Sequence, residues 1–193
     1  MTKIILASQS PRRRQLLEQV GLKDFTILVP EADESYDETA SPQAIVSSIC
    51  CKKALAARKS ARDDEAVIIA ADTMVFLDGL RLGKPHSEEE AFSMLRALSG
   101  RTHHVCTGVT VCRGEHLLTR AETTDVVFRP LTDREIRSYI ATGEPMDKAG
   151  SYGIQGKAAL FVSAIAGDYF NVMGLPLHLL GQMLREFDLE LFA

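Results

Sequence analysis

The first part of the chain alternates short apolar runs with longer amphipathic stretches, and this alternation is the strongest constraint on its fold. The runs Lys3 to Ala7, Phe25 to Val29 and Val67 to Ala71 are rich in β-branched residues, which is typical of buried strands. Between them, Arg12 to Val20 and a stretch opened by Ser41-Pro42 have helical spacing and helix-start residues. A β-α-β-α-β order predicts a sheet with parallel strand pairs and covering helices.

The second half of the chain carries signals for antiparallel strands. Asp78-Gly79 lies between apolar residues and predicts a hairpin. Two long strand candidates follow, His103 to Cys112 and Leu117 to Phe128. Further elements are predicted from two capping boxes, Ser87 to Glu90 and Thr132 to Glu135, a strand Leu160 to Ile165 and a last helix from Pro176 to about Phe187. We therefore expect an α/β protein with one mixed, twisted sheet flanked by helices.

Length and composition limit the class of protein. The 193 residues predict a single domain, 1–193, which could have two lobes. With 22 Lys and Arg against 26 Asp and Glu, the net charge of −4 argues against a nucleic-acid-coating protein. The four cysteines, two of them adjacent, do not form a secreted disulfide pattern, and no apolar run is long enough for a signal peptide or a membrane span. We expect a reduced, cytoplasmic protein without a membrane or nucleic-acid partner.

Three consecutive arginines, Arg12 to Arg14, fall in the first turn of the first predicted helix, where their charge conflicts with the helix dipole. A phosphate would remove this conflict, because free backbone N–H groups, the Ser8 and Ser10 hydroxyls and guanidinium groups all bind it. The alternative is a solvated basic turn, with Ser10 as the helix cap. We favour the phosphate site.

Carboxylates occur at two suggestive places. Asp72 directly follows the apolar run Val67 to Ala71, and ligands bind at the carboxyl ends of strands in α/β sheets. An Asp there suits a divalent cation or a general base, although Asp is also a common turn residue. The second place is an acidic segment, which is either a solvated loop or the source of one or two further metal ligands; it contains Glu31, Asp33, Glu34, Asp37 and Glu38.

Two lysines and a glycine-rich loop complete the candidates. Lys53 lies on a predicted helix, and Lys84 is restricted by the flanking Gly83 and Pro85, but each could be an ordinary surface lysine. The loop Gly150 to Gly156 does not have the Walker A spacing, so its glycines favour a tight turn or a close backbone approach. Within it, the Gln155 amide can donate and accept hydrogen bonds, which suits the edge of a base.

A zinc site is disfavoured by the spacing of the metal-ligating residues. His104, Cys106 and Cys112 share one face of a predicted strand but lie too far apart along it to reach one ion, and their pattern matches no zinc finger.

Taken together, the ordered set of motifs resembles the Maf family of nucleoside triphosphate pyrophosphatases over roughly Ile4 to Leu184. The motifs that carry the resemblance are Leu6-Ala-Ser8-Gln-Ser10-Pro11-Arg12-Arg13, Asp33-Glu34, Lys53-Ala54, Ala71-Asp72-Thr73, Gly83-Lys84-Pro85, Leu98-Ser-Gly100, Asp147-Lys148-Ala149-Gly150 and Tyr152-Gly-Ile-Gln155-Gly156. The resemblance implies a deep central cleft in an α/β fold similar to that of inosine triphosphate pyrophosphatases, in a single Maf-like domain with two lobes around the cleft. It also suggests a homodimer.

The resemblance further implies hydrolysis of a nucleoside triphosphate between the α- and β-phosphates, with a divalent cation, Mg²⁺ or Mn²⁺. By position, Asp72 would be the catalytic proton acceptor and would share the metal with Glu34. Because the segment Glu31-Ala-Asp33-Glu34 is more acidic than is usual in the family, the register of this Glu is open. The substrate-binding residues would be Ser8, Ser10, Arg13, Lys53 and Lys84, and the residues that set base preference would be Arg12, Thr73 and Gln155.

At the base-preference positions the chain looks like the branch that acts on dTTP and UTP, with modified pyrimidine nucleotides as further candidates. Three alternatives remain open. They are the branch that acts on 7-methyl-GTP, a non-enzymatic role as a septum-formation regulator, and a nucleic-acid-binding module, which the charge and the lack of aromatic stacking motifs disfavour.

Overall fold

A computed structural model describes residues 2–191 and shows a mixed sheet flanked by helices. The strands are β1 (Ile4–Leu6), β2 (Phe25–Ile27), β3 (Val67–Leu77), β4 (Leu80–Leu82), β5 (Thr102–Arg113), β6 (His116–Phe128) and β7 (Val162–Ala166). The helices are α1 (Pro11–Gln19), α2 (Pro42–Ala61), α3 (Glu88–Leu98), α4 (Asp133–Ile140), α5 (Tyr169–Met173) and α6 (Leu177–Arg185), with 3₁₀ turns at Glu144–Asp147, Ala149–Ser151 and Lys157–Phe161. Within residues 2–191, none of the helices is long and apolar enough to span a membrane.

The sheet has the order β2-β1-β3-β5-β6-β7, and β4 pairs with β3. β1 pairs in parallel with both β2 and β3, whereas the β3–β4 and β6–β7 pairs are antiparallel. The predicted hairpin at Asp78-Gly79 is confirmed: both residues have positive φ angles, 51° and 79°, as a two-residue turn of the I′ type requires. The expected mixed α/β sheet is therefore present.

The chain divides into two compact units. The first consists of the chain up to Asp72, Thr107–Glu122 and the chain from Gly174 onward; the second consists of Thr73–Cys106 and Thr123–Met173. In the first unit, small residues let α2 pack closely on the sheet. Ala54 and Ala57 of α2 are buried together with Ile5 of β1 and Ile68 of β3. The helix comes closest at Gly108 of β5, where an added Cβ would lie 2.5 Å from the carbonyl oxygen of Val46.

In the second unit, aromatic rings form much of the core. Phe128 makes edge contacts with His103, Tyr152 and Phe161, with ring centroids 4.9, 4.8 and 6.0 Å away. His103 is completely buried, and its Nε2 is 2.8 Å from the Tyr152 hydroxyl. This core lies behind the glycine-rich loop, because Tyr152 is part of that loop.

Several predicted boundaries are wrong. The strand predicted to end at Ala71 continues to Leu77, so Asp72 lies within β3 and is not the first loop residue. The physical reason is that β1 pairs with β3 only up to Leu6 and Ile69, whereas later residues of β3 pair with β4. Asp72 thus lies beyond the end of the parallel pairing without leaving the strand.

Three other differences are local. The predicted strand Leu160 to Ile165 begins later, at Val162, because Lys157–Phe161 is a 3₁₀ turn. The capping box at Thr132 and Glu135 is confirmed. At Ser87 only half of the box forms: the hydroxyl accepts the Glu90 N–H at 3.1 Å, but the Glu90 carboxylate accepts the N–H of His86. The helix α5 was not predicted, since its five residues are too few to show periodicity.

Candidate active site

Ser8 and Arg13 form the first part of the site, at the connection between β1 and α1. Ser8 is buried, and its Oγ accepts hydrogen bonds from Arg13 Nη1 at 3.0 Å and from the Ser10 N–H at 3.3 Å. Arg13 Nε donates to the carbonyl oxygen of Gly174 at 2.8 Å. Burial lowers the pKa of Arg13 and the charge of Asp72 opposes this shift, but a guanidinium stays protonated at neutral pH. A fixed cation therefore stands at the start of α1.

The other members of this segment have different environments. Ser10 occupies the predicted N-cap position of α1, but its side chain makes no capping hydrogen bond. Pro11 at the first helical position starts the helix instead. Arg14 is exposed and forms an ion pair with Glu18 at 2.8 Å, so the solvated alternative describes this arginine. Arg12 is half-buried.

Lys53 joins two of the predicted metal-binding carboxylates. Its Nζ lies 2.6 Å from Asp72 Oδ1 and 3.0 Å from Glu34 Oε1. Asp72 and Lys53 are largely buried, with side-chain exposures of 13% and 20%, whereas Glu34 is 63% exposed. Two carboxylates therefore converge on one cationic position, and in this structure an ammonium group holds it.

The neighbouring acidic residue, Asp33, belongs to a separate contact. Its carboxylate accepts hydrogen bonds from the Ser35 hydroxyl and N–H at 2.7 and 2.9 Å and pairs with Lys52 Nζ at 3.1 Å. These bonds, that of the Ser35 side chain first, lower the pKa of Asp33 to about 2. Glu34, and not Asp33, therefore shares the Lys53 contact with Asp72, and its role as the metal ligand stays a prediction. The remaining acidic residues, Glu31, Asp37 and Glu38, are exposed, as a solvated loop requires.

The other three candidates lie in the second unit. Thr73 follows Asp72 in β3 and is half-buried, while Lys84 and Gln155 are exposed. The chain before Lys84 is tied to the glycine-rich loop, because the Gly150 N–H donates to the Gly83 carbonyl oxygen at 3.0 Å. The structure therefore brings Ser8 and Arg13 together, and Glu34, Lys53 and Asp72 together, in the first unit. It fixes the segments of Lys84 and Gln155 within the second.

No group of three or more His, Cys, Asp or Glu side chains that could hold a metal ion occurs in residues 2–191. On β5, the exposed His104 contacts Asp125 at 2.7 Å, whereas Cys106 and Cys112 are buried. A divalent ion at the candidate site would therefore have two protein carboxylates, those of Asp72 and Glu34. This number fits Mg²⁺, which proteins usually hold through one or two carboxylates with water and substrate phosphates as its other ligands.

Several residues of the site were not predicted. The Gly174 carbonyl that fixes Arg13 leaves no signal in the sequence, since any residue supplies a carbonyl. Lys52 lies next to the predicted site residue Lys53 but is not itself among the predicted site residues. Tyr139 and Glu144, which contact the glycine-rich loop, were also missed. For Glu144 a signal existed, because it stands between Gly143, which ends a helix with a positive φ angle of 73°, and Pro145.

A model of the Maf-like protein family matches residues 3–187. The chain is 50% identical over 193 residues to a protein of Symbiobacterium thermophilum named dTTP/UTP pyrophosphatase, which covers 100% of this chain and 98% of that relative. It is 47% identical over 190 residues to a Bacillus cereus protein of the same name, with 98% of each chain covered.

Two solved structures resemble the chain in fold. The Ham1 protein of Staphylococcus aureus has a TM-score of 0.54 and 14% identity, and covers 96% of this chain and 100% of its own. A HAM1 protein from Coxiella burnetii has a TM-score of 0.53 and 16% identity with the same coverage. At these identities the likeness concerns the fold alone, and it confirms the expected fold class.

Proposed function

The chain belongs to the Maf family, and from this we propose that it is a nucleoside triphosphate pyrophosphatase that hydrolyses dTTP and UTP to the monophosphate and pyrophosphate. Two relatives at 50% and 47% identity carry that name. The observation that carries the proposal is the Lys53 ammonium held between Asp72 and Glu34, at 2.6 and 3.0 Å. A base, a metal-binding carboxylate and a phosphate-binding cation are there in contact.

The cations of the site bind the polyphosphate. Arg13, fixed by Ser8 and Gly174, supplies a permanent guanidinium charge for the phosphate oxygens, and the Ser10 hydroxyl is not used in a helix cap. Lys53 and Lys84 add two ammonium groups. These donors stabilise the negative charge that develops on the leaving pyrophosphate, which is the dominant catalytic effect in phosphoryl transfer.

Asp72 accepts the proton of the attacking water. Asp72 and Glu34 would hold a divalent cation, Mg²⁺ or Mn²⁺, because both carboxylates converge on one cationic group in the structure. When bound, such an ion neutralises charge on the phosphate oxygens and lowers the pKa of water. With such an ion held by the two carboxylates, Lys53 would be available to the substrate phosphates. Asp72 orients the water for in-line attack on the α-phosphorus, and general-base help of this kind is typically worth about 10²- to 10⁴-fold.

Base preference is assigned to Arg12, Thr73 and Gln155. The Gln155 amide offers one acceptor and two donors, and thymine and uracil share a carbonyl acceptor at O4 beside an N3–H donor. Cytosine presents the opposite pattern, an amino donor beside an acceptor nitrogen. We place the reaction in the reduced cytoplasm, in agreement with four cysteines that are all thiols in the structure.

A panel of nucleoside triphosphates, assayed with Mg²⁺ and with Mn²⁺ for pyrophosphate release, tests the proposal. We expect faster pyrophosphate release from dTTP and UTP than from CTP, GTP and 7-methyl-GTP. A preference for 7-methyl-GTP would show that the chain belongs to the branch of the family that acts on that nucleotide. No pyrophosphate from any nucleotide would favour a non-enzymatic role.

Asp72→Asn tests the catalytic assignment, with Asp33→Asn as the matched control in the acidic segment. We expect about a 10²- to 10⁴-fold loss of kcat in Asp72→Asn, because the amide cannot accept the proton. Asp33 contacts Lys52 and not Lys53, so its variant should stay within a few-fold of the wild type. Full activity in Asp72→Asn would show that the base is another residue.

A further inference from the structure

Gln155 is presented by a four-residue turn, Gly153 to Gly156, which we call the Gln155 turn. The Gly156 N–H donates to the carbonyl oxygen of Gly153 at 3.0 Å and closes it. Of the two central residues, Ile154 is buried and Gln155 is exposed. The buried Ile154 side chain anchors the turn to the protein. The direction of the exposed Gln155 side chain then depends on the contacts that hold the two ends of the turn.

Both flanks are held by the carboxylate of Glu144. On one side, its Oε2 accepts the N–H of Lys157 at 3.1 Å. On the other side, its Oε1 accepts the hydroxyl of Tyr139 at 3.0 Å, and the oxygen of that hydroxyl accepts the N–H of Gly153 at 3.1 Å. One carboxylate thus fixes the first residue of the turn through a tyrosine and the residue after the turn directly.

The hydrogen bonds are supported by contacts without spare space. A Cβ added to Gly156 would lie 2.1 Å from Glu144 Oε1, and one added to Gly153 would lie 2.6 Å from Lys148 Cε. Lys148 in turn donates to the Glu144 carbonyl oxygen at 2.6 Å. Burial, with a contribution from Glu144, raises the pKa of Tyr139, which keeps its hydroxyl a donor at neutral pH. The backbone of the turn therefore rests directly on the Glu144 carboxylate.

We propose that Glu144 and Tyr139 are positioning residues for base selection, which hold the Gln155 turn so that its amide meets the O4 and N3–H edge of thymine or uracil. This inference rests on the proposed function and deepens it. An ionised carboxylate is well suited to the task, because it is an acceptor at both oxygens and here satisfies two donors at once. Without it, the Lys157 N–H and the Tyr139 hydroxyl lose their acceptor and the turn loses its fixed position.

The test is the ratio of kcat/KM for dTTP to that for CTP in Glu144→Ala, Tyr139→Phe and Gly156→Ala. We expect the ratio to fall about tenfold, the size of effect expected when one or two hydrogen bonds in a binding site are misplaced. The change should be a higher KM for dTTP, with kcat/KM for CTP little altered, because the phosphate-binding residues are untouched. Glu144→Gln keeps the shape and one acceptor, and should recover part of the ratio.

Two comparisons separate positioning from general damage. Gly181→Ala, in α6 with no atom within 4 Å of the added Cβ, is the matched control for Gly156→Ala and should keep the wild-type ratio. In the double variant Glu144→Ala with Gln155→Ala, the ratio should equal that of Gln155→Ala alone, since Glu144 acts through Gln155. If Glu144→Ala does not fold, Tyr139→Phe with Gln155→Ala provides the same cycle.

Equal losses for dTTP and CTP, or additive losses in the double variant, would overturn the positioning role. Failure of the proposed function gives a different result: the wild-type chain would then release no pyrophosphate from dTTP, or would not prefer dTTP to CTP. A wild-type preference that survives in all three single variants refutes the inference and leaves the proposed function intact.

Discussion

Two regions of the molecule, a cluster of charged residues and the Gln155 turn, are held in place by different forces. In the charged cluster, which consists of Ser8, Arg13, Glu34, Lys53 and Asp72, the key contacts are between ionised side chains, such as Lys53 with Asp72 and Glu34. The Gln155 turn is instead held by hydrogen bonds to its backbone and by contacts with no room for a Cβ.

This difference matches what each part must do. The contacts of the charged cluster are between charges, so an added cation would compete with Lys53 for the same carboxylates and an added anion would compete for Lys53. A group that discriminates between bases must not adapt to the wrong one, because adaptation would recover the lost hydrogen bonds. The hydrogen bonds that hold the backbone of the turn serve that purpose.

The largest effect on stability is expected from a substitution that disturbs the packing of α2, the helix that carries Lys53. In Gly108→Ala the new Cβ would lie 2.5 Å and 2.6 Å from the carbonyl oxygen and carbon of Val46, which as backbone atoms cannot rotate away. We expect a loss of about 3 kcal/mol in the free energy of unfolding, at the upper end of overpacking costs. Urea denaturation measures it, and Gly181→Ala is the control without a clash. If Gly108→Ala has the same free energy of unfolding as the wild type, α2 can shift without cost, and the position of Lys53 is then not fixed by this contact.

The next effect concerns the core behind the glycine-rich loop and depends on pH. Burial first, and the charge of His104 second, lower the pKa of His103 to about 4, against about 6.5 when unfolded. Between these values the unfolded chain binds the extra proton, so stability rises with pH there and is lost as the pH falls. From pH 6.5 down to pH 5 the loss is about 2 kcal/mol.

His103→Asn, which does not titrate, should lack this part of the pH dependence. His103 Nδ1 has no hydrogen-bond partner in the described part of the chain, so a protonated ring would bury an unpaired N–H. Urea unfolding at pH 5 and pH 7.5 measures the difference between the two proteins. Parallel pH profiles for variant and wild type would refute the assignment.

The smallest effect tests whether the charged cluster exchanges its cation. In Lys53→Gln, the carboxylates of Asp72 and Glu34 lose their ammonium partner, and the nucleotide-free protein should bind Mn²⁺ a few-fold to about tenfold more tightly, because the ammonium no longer competes with the ion for them. At the same time kcat/KM for dTTP should fall, because Lys53 binds phosphate. Titration calorimetry with Mn²⁺ alone measures the affinity.

Lys52→Gln is the matched control for this experiment. Lys52 is adjacent in α2 but pairs with Asp33, so its loss should leave the Mn²⁺ affinity unchanged. If Lys53→Gln and the wild type bind Mn²⁺ with equal affinity, Lys53 does not compete with the metal for the carboxylates.

Much of the fold and part of the site could be predicted from local sequence. The apolar runs around Ile4 to Leu6 and Val67 to Ala71 specify strands because their β-branched side chains fill a buried sheet. Asp78-Gly79 specifies its turn through the positive φ angles it accepts. Asp72 and Arg13 are site candidates because each conflicts with its local surroundings, a carboxylate directly after an apolar run and a cation at a positive helix end.

The pairing within the charged cluster could not be predicted, because it depends on direction. Lys52 and Lys53 are neighbours on α2, and consecutive helical residues point about 100° apart, so only one of them faces Asp72. Asp33 and Glu34 are also neighbours, and their side chains contact different lysines, Lys52 and Lys53. The sequence supplies both members of each pair with the same chemistry, and the packing of α2 on the sheet selects between them.

The sequence by itself determined the order of strands and helices, their turns and the supply of charged residues, because these follow from periodicity, backbone preference and composition over a few residues. Only the tertiary structure decided that Lys53 joins Asp72 to Glu34, that Gly174 fixes Arg13, and that Glu144 lies under the Gln155 turn. Gly174 and Arg13 are 161 positions apart. Contacts at such separations depend on how whole elements pack, and no local pattern encodes their distances.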